Sequence, residues 1–330
     1  MAGQGSAGAV PVADLPHAVI VAGPTASGKS ALAMAIAARL DGVVINADSM
    51  QIYRELRILT ARPDAAEEAS MPHALYGVRP AAEPGSVGWW RGAALAEMDR
   101  ARRAGRLPVL CGGTGLYFAA LTDGLAEIPS IPEAVRGEAR ALLARSGAAA
   151  LHVALAQVDP VAAARLHPAD GQRLARAWEV WRATGRGISS WQSNAAAPAP
   201  WRFTAVVLDP PRDHLRAAIA VRLDAMLRQG ALAEVRALLA LGLDPTLPAM
   251  RACGLPELSA HLRGEVDLAT AMARTAVVTG QYTKRQATWF RRRKLADPSR
   301  THMIYARFAG LQQFSVSWKQ DFFTFIQASP

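Results

Sequence analysis

Residues Gly23–Ser30 read Gly-Pro-Thr-Ala-Ser-Gly-Lys-Ser (GPTASGKS), and the stretches on either side decide how that octet folds. Before it, Ala18–Ala22 (AVIVA) is an apolar run of strand length; after it, Ser30 to Leu40 is an Ala-rich stretch that reads as a helix. Strand, glycine turn and helix, in that order, are the context that the phosphate-binding pattern G-x-x-x-x-G-K-[ST] requires. The glycines let backbone N–H groups close around phosphate oxygens, and the helix presents its positive end to them. Gly23, Pro24, Thr25, Ala26, Ser27, Gly28, Lys29 and Ser30 are therefore candidate pyrophosphate ligands. Lys29 supplies a mobile cation, and the Ser30 hydroxyl is the candidate ligand for Mg2+. A glycine-rich turn with an unrelated lysine is the competing reading, and the flanking elements count against it. The pattern does not choose among phosphates: any polyphosphate or pyrophosphate fits.

Working outward, Val43–Ala47 (VVINA) and Leu107–Cys111 (LPVLC) are further buried strands, each far enough from the last for a helical crossover. Apolar strands alternating with helices predict an α/β fold: a P-loop nucleoside-triphosphatase-like parallel sheet flanked by helices. From Glu133 to Gly185 the pattern is wholly helical and bounded by Pro, Ser and Gly, which predicts a smaller all-helical insertion domain. Val206–Leu208 returns the chain to the sheet, Arg212 to Leu241 reads as one long amphipathic helix or a pair, and a basic helix spans Met272 to Lys294. The expected organisation is a disordered N-terminus over 1–15, a core over 16–127 and 200–312, the insertion over 128–199, and a tail over 313–330. The tail departs from the Ala/Arg-rich style of the rest, and no chemistry is assigned to it.

The second strand delivers Asp48 at its carboxyl end, followed by Ser49, Met50 and Gln51, where parallel sheets collect ligands. A carboxylate there can hold Mg2+ or accept a proton, or simply cap a following helix. The third strand ends in Gly112-Gly113-Thr114-Gly115-Leu116-Tyr117. Topology brings all three loops to one edge.

Composition bounds the partners. With 51% hydrophobic residues among 330, a folded globular protein is the default. The net charge of +10 favours an anionic partner, nucleic acid being the commonest, although general arginine usage supplies part of the excess. Only two cysteines occur, Cys111 and Cys253, with no CxxC pair, so neither a disulfide framework nor a zinc site is indicated. No basic leader and no long uncharged apolar run is present, so a cytoplasmic protein with no membrane partner is expected. In the basic helix, Lys284, Arg285, Gln286, Thr288 and Arg291 are interleaved with Trp289 and Phe290. Such cations can hold phosphates while an aromatic stacks on a base; alternatively the aromatics belong to the core. Arg173 and Arg176 lie one turn apart and are placed to reach RNA.

GPTASGKS, DSMQIYR at Asp48–Arg54, TARP at Thr60–Pro63 and GGTGLY at Gly112–Tyr117, in this order, resemble the tRNA dimethylallyltransferase family. The resemblance continues through DPVAAARLHP at Asp159–Pro168, QRLARAWEV at Gln172–Val180 and KRQATWFR at Lys284–Arg291, so it covers about Ala18 to Lys294. It implies that the loop grips dimethylallyl pyrophosphate rather than ATP, with Mg2+, and that the five-carbon group passes to an adenine amine beside the anticodon of tRNA. Asp48 is implied as general base, with Thr25, Lys29 and Thr114 completing the catalytic set. Contacts to the tRNA anticodon stem-loop are implied for Asp48, Ser49, Met50, Gln51, Thr114, Arg136, Gln172, Arg173, Leu174, Ala175, Arg176, Arg251, Lys284, Arg285, Gln286, Thr288 and Arg291. A monomer is expected. The chain departs from the family pattern where an aromatic and a cation are replaced by Leu255 and Pro256, and where an arginine is replaced by Gly280. A small-molecule kinase using the loop for ATP, and an RNA-binding protein of the same fold with impaired turnover, are the rival readings.

Overall fold

The computed structural model describes residues 14–193 and 197–327. Of the expected N-terminal segment 1–15, all but Asp14 and Leu15 lie outside the described residues. The chain divides into two compact units, residues 123–198 and the remainder.

In the larger unit, β1 (His17–Ala22) leads through the glycine loop into α1 (Lys29–Arg39). Then come β2 (Gly42–Asn46), α2 (Ala65–Ser70), β3 (His73–Ala74), α3 (Val87–Arg103), β4 (Leu107–Gly112) and α4 (Gly115–Thr122). The smaller unit holds α5 (Glu133–Val158), α6 (Pro160–Arg165), α7 (Gly171–Thr184) and α8 (Ile188–Gln192). The chain returns as β5 (Arg202–Leu208), α9 (Arg212–Arg228), α10 (Ala231–Ala240), α11 (Leu255–Leu262), α12 (Leu268–Arg292), β6 (Thr301–Ile304) and α13 (Val316–Gln327).

The sheet is parallel throughout, in the order β3-β2-β4-β1-β5-β6. β1 is apolar on both sides of its pleat because both faces of the sheet are covered. Ala18, Ile20 and Ala22 enter one core with Trp90, Phe118, Ile219 and Phe290; Val19 and Val21 enter the other with Leu32, Ile36, Phe308 and Phe322. Since β2, β4 and β1 are neighbours, the loops at their carboxyl ends adjoin.

Several expectations change in detail. Of the two readings of Arg212 to Leu241, the pair is the one formed, broken at Gly230, whose φ of 101° no ordinary residue adopts cheaply. The helical run from Glu133 to Gly185 is split by Pro160, by the turn before Gly171, and by Gly147 within α5 at φ 76°, ψ 169°. By length and composition α5 could cross a membrane, but the break at Gly147 leaves neither half near the ~20 residues a span needs. The compositionally odd tail is a packed helix: Phe322 and Ile326 of α13 are 2% and 0% exposed in the core beside α1.

Candidate active site

The glycine loop is held open by backbone that side chains rarely tolerate. Ala26 sits at φ 67° and Gly28, the residue before α1, at φ 89°. A Cβ on Gly28 would lie 2.0 Å from the Phe308 carbonyl oxygen, so close packing from behind the loop demands glycine there as much as φ does. Phe308 N–H donates to the Ser27 carbonyl at 2.9 Å, and Arg307 Nε donates to the Ala26 carbonyl at 3.1 Å. The segment after β6 thus braces the loop from outside, a role that no pattern in the sequence announces.

Lys29 is 9% exposed, and its ammonium donates only a long 3.5 Å bond to the Pro24 carbonyl among the described residues. Burial lowers its pKa from the ordinary lysine value, and the negative charge of Asp48 pushes it back up. Such an ammonium, desolvated and under-coordinated, is poised for an anion.

Asp48 is fixed by Asn46, which is fully buried at the end of β2. The Asn46 Oδ1 accepts the Asp48 N–H at 2.8 Å, while its Nδ2 donates to the carbonyls of Asp48 and Leu75 at 3.0 Å each. Asp48 Oδ1 accepts the Met50 N–H at 3.0 Å, and Oδ2 is turned toward Gly113. The helix-capping alternative fails, because turns and not a helix follow, the next helix being α2 at Ala65. Thr114 hydroxyl accepts the Ser49 N–H at 2.9 Å, and it also hydrogen-bonds Tyr282. Burial, reinforced by the Asp48 charge, raises the pKa of that phenol.

Lys29 and Asp48 line one cavity of about 560 Å3, with Thr25, Ser30, Thr60 and Arg222 also on its wall. A smaller and largely apolar cavity of about 60 Å3 adjoins it, sharing Thr25, Asp48, Thr60 and Arg222 and adding Met50, Leu223, Met226 and Tyr282. One side therefore offers cations and loop amides, the other offers carbon, and the Asp48 carboxylate stands on both walls. Among the described residues no cluster of three or more metal-ligating side chains occurs. Ser30 lines the larger cavity, which fits a Mg2+ ion held chiefly by phosphate oxygens and water, as such ions usually are.

Other candidates fall in different places. Gln286 is 5% exposed: its Oε1 accepts the Thr25 N–H and its Nε2 donates to the Gly113 carbonyl, both at 2.9 Å. It ties two loops together, and its amide is not free to face RNA. The Gln51 Nε2 donates to the Thr60 and Ala61 carbonyls, and the residue lines the larger cavity. Leu174 and Ala175 are packed inside the helical unit, so the RNA-contact role expected of their side chains does not stand. Arg291 makes a two-pronged ion pair with Asp209 at 2.6 and 2.8 Å. Arg136 lies within 3.9 Å of Glu133, and Arg173 and Arg176 pair with Asp170 and Glu179 within the helical unit. Gln172, Arg251, Lys284 and Arg285 are exposed, and Thr288 hydroxyl bonds back to the Lys284 carbonyl. Trp289 packs against the Gly115 turn, where a Cβ would meet its indole at 2.3 Å, and Phe290 is core. Leu255 is buried at the start of α11, so that departure is absorbed by packing, whereas Pro256 is exposed in the helix's first turn.

Sequence reasoning missed Asn46, Arg222, Glu234 and Tyr282. Glu234 accepts three successive backbone N–H groups, from Arg57, Ile58 and Leu59 at 2.7–2.9 Å, and so shapes the loop that carries Thr60. Arg222 is one arginine among many on an amphipathic helix, and only the fold shows that it shares the walls of both cavities with Asp48.

The IPP transferase family model matches residues 51–293, and the isopentenyl transferase model matches residues 16–75. The chain is 59% identical to the tRNA dimethylallyltransferase of Granulibacter bethesdensis over 313 residues, covering 94% of this chain and 98% of that one. It is 59% identical to that of Gluconacetobacter diazotrophicus over 293 residues, 88% of each. Its fold is similar to the crystal structure of the tRNA isopentenylpyrophosphate transferase of Bacillus halodurans, with a TM-score of 0.64 at 30% identity and 96% coverage of both chains. With a P-loop-type parallel sheet and these likenesses spanning nearly all of its length, the chain belongs to the tRNA dimethylallyltransferase family of prenyltransferases.

Proposed function

We propose that the protein transfers the dimethylallyl group of dimethylallyl pyrophosphate to the exocyclic amine of the adenosine 3′ of the anticodon, in tRNAs that read U-initial codons. The observation that carries this reading is the shared wall. Lys29 and Asp48 face one cavity, and an apolar recess opens beside the carboxylate. The diphosphate lies against the loop amides and Lys29, the carbon chain enters the recess, and the extruded base approaches Asp48. The bond from C1 of the isoprenoid to the diphosphate oxygen breaks as the bond to N6 forms. The N6 proton passes to the Asp48 carboxylate, and pyrophosphate leaves with its electron pair. An aromatic amine is a weak nucleophile, so proton removal during bond formation helps it. Lys29 and the loop N–H groups stabilise charge growing on the departing oxygen. Mg2+, bound at Ser30 and the phosphates, would neutralise part of that charge. A loop base is the natural target, because extruding it costs less than opening a duplex. We place this activity in the cytoplasm and assign it to a monomer, with Lys284, Arg285 and Arg251 among the residues that contact the anticodon stem-loop.

The test is incubation with labelled dimethylallyl pyrophosphate, Mg2+ and unmodified tRNA. Label in the tRNA and release of pyrophosphate are expected. Consumption of ATP without tRNA would favour the kinase reading instead, and tight tRNA binding with no transfer would make the chain a binding protein of this fold.

A further inference from the structure

A further recess of about 160 Å3 adjoins the main cavity at the phosphate loop, sharing Lys29, Ser30 and Arg222 with it. Gly28, Lys29 and Ser30 form one wall, Ala218 and Arg222 of α9 the second, and Arg307 the third. Three cations from three separate elements line it, and no carboxylate does. Lys29 is buried and Arg222 half-buried, with few hydrogen bonds to show for it: 3.5 Å from Lys29 to the Pro24 carbonyl and 3.3 Å from Arg222 to the Thr60 carbonyl. Buried cations of like sign repel one another unless an anion sits between them. The third cation, Arg307, is not left to wander. Its Nε is anchored on the Ala26 carbonyl at 3.1 Å, and the next residue donates its N–H to the Ser27 carbonyl at 2.9 Å. Both terminal nitrogens of the guanidinium remain for an incoming ligand, since no ion pair joins Arg307 among the described residues. A planar fork held in this way suits two oxygens of one phosphate.

We propose that Arg307 is a further ligand of the diphosphate, reaching the leaving group through the recess that Lys29, Ser30 and Arg222 share with the main cavity. The proposal rests on the reading of the loop as a pyrophosphate site. It adds a residue outside every motif from which the family was identified, contributed by the segment between β6 and α13. Because Arg307 also braces Ala26, its charge and its hydrogen bond must be separated.

The experiment measures inorganic pyrophosphate binding to the full chain by calorimetry in Mg2+ buffer, for the natural protein and for Arg307→Ala, Arg307→Lys and Arg307→Gln. Arg307→Ala is expected to weaken binding roughly tenfold to a hundredfold, the range for loss of a charge-assisted contact, and to flatten its dependence on salt. Arg307→Lys should keep most of the affinity. Arg307→Gln, which can still donate to the Ala26 carbonyl, should behave as Arg307→Ala does. In turnover, KM for dimethylallyl pyrophosphate should rise while KM for tRNA stays within about twofold. Unchanged pyrophosphate affinity in Arg307→Ala overturns the proposal. So does the reverse ranking, with Gln restoring affinity and Lys not, because that result makes Arg307 a brace for the loop and nothing more. If the natural protein itself fails to bind pyrophosphate, the reading of the loop falls, and the proposal falls with it.

Discussion

The Gln286 side chain joins α12 to Thr25, accepting the Thr25 N–H at 2.9 Å with the same amide that donates to the Gly113 carbonyl. Gln286 therefore fixes the spacing between the diphosphate loop and the glycine turn after β4, on which Asp48 Oδ2 leans. Gln286→Ala leaves a buried N–H and a buried carbonyl without their partner, which costs about 2 kcal/mol or more. Transfer is expected to fall by roughly tenfold to a hundredfold, since catalytic groups misplaced by a fraction of an ångström lose that much. Affinity for tRNA should change little. A large loss of tRNA affinity with kcat intact would return Gln286 to the RNA-contact role expected from the sequence.

Asp48→Asn keeps the hydrogen bond to Met50 N–H and removes the base. Transfer is expected to fall by roughly 10²–10⁴-fold, the usual contribution of a positioned general base. Removing the negative charge also strips Lys29 of the partner that opposes its burial, so the ammonium loses its proton at lower pH than in the natural protein. Pyrophosphate binding by the variant should accordingly weaken at a less alkaline pH. Full activity in the variant would assign the proton to another acceptor.

What could be read from the sequence was whatever needs special backbone or strict period. GPTASGKS is legible because Gly28 has no substitute at its φ and contact distance, and AVIVA because a strand covered on both faces is apolar at every position. Asp48 was legible as a site residue only through its place after a strand. Residues that act by arriving from elsewhere in the chain were not. Gln286, Glu234, Arg222 and Arg307 are ordinary residues on helices or loops, and their roles exist only once α9, α10, α12 and the segment after β6 close on the sheet. The same reason explains why Leu174, in a segment that resemblance assigns to RNA, turns its side chain into the helical core. A motif marks a stretch that matters, without saying which of its side chains face inward.

His17 supplies a pH dependence unrelated to catalysis. Its ring, hydrogen-bonded to the Thr204 hydroxyl at 2.9 Å, has its pKa lowered from 6.5 to about 4, first by burial and then by the charges of Arg202 and Arg300. The unfolded chain takes up a proton near 6.5 that the folded one refuses until about 4, so stability is complete above 6.5 and is lost as pH falls through that window. The loss should reach about 2 kcal/mol after allowing for the ring's partial exposure. His17→Gln should flatten the difference between denaturant unfolding at pH 7 and at pH 4.5. An unchanged slope would place the acid sensitivity elsewhere.

Gly280 lies in the middle of α12 with nothing within 4 Å of where a Cβ would stand. Glycine in a helix interior is less favourable than alanine by about 1 kcal/mol. Gly280→Ala is therefore expected to stabilise the chain by about 0.5–1 kcal/mol in denaturant unfolding, with transfer unaffected. A destabilised variant would mean that α12 needs the flexibility of glycine at this point.

The final prediction concerns the segment that composition set apart. Phe322 and Ile326 of α13 are buried against the sheet, and Phe314 stacks at 6.0 Å on Phe308, whose backbone is hydrogen-bonded to Ser27 and packs closely against Gly28 of the loop. Deleting residues 314–330 uncovers Phe308 and removes two buried side chains, each contributing about 1.5–3 kcal/mol. The melting temperature is expected to drop by several degrees. Because Phe308 loses its outer support, the brace behind the loop slackens, and pyrophosphate affinity should fall along with stability. A passenger tail would leave both unchanged, whereas a merely stabilising helix would lower the melting temperature and leave the pyrophosphate Kd where it was. Calorimetry on the truncated chain well below its melting temperature separates these outcomes, and a weakened Kd there would make α13 part of the machinery that shapes the phosphate loop.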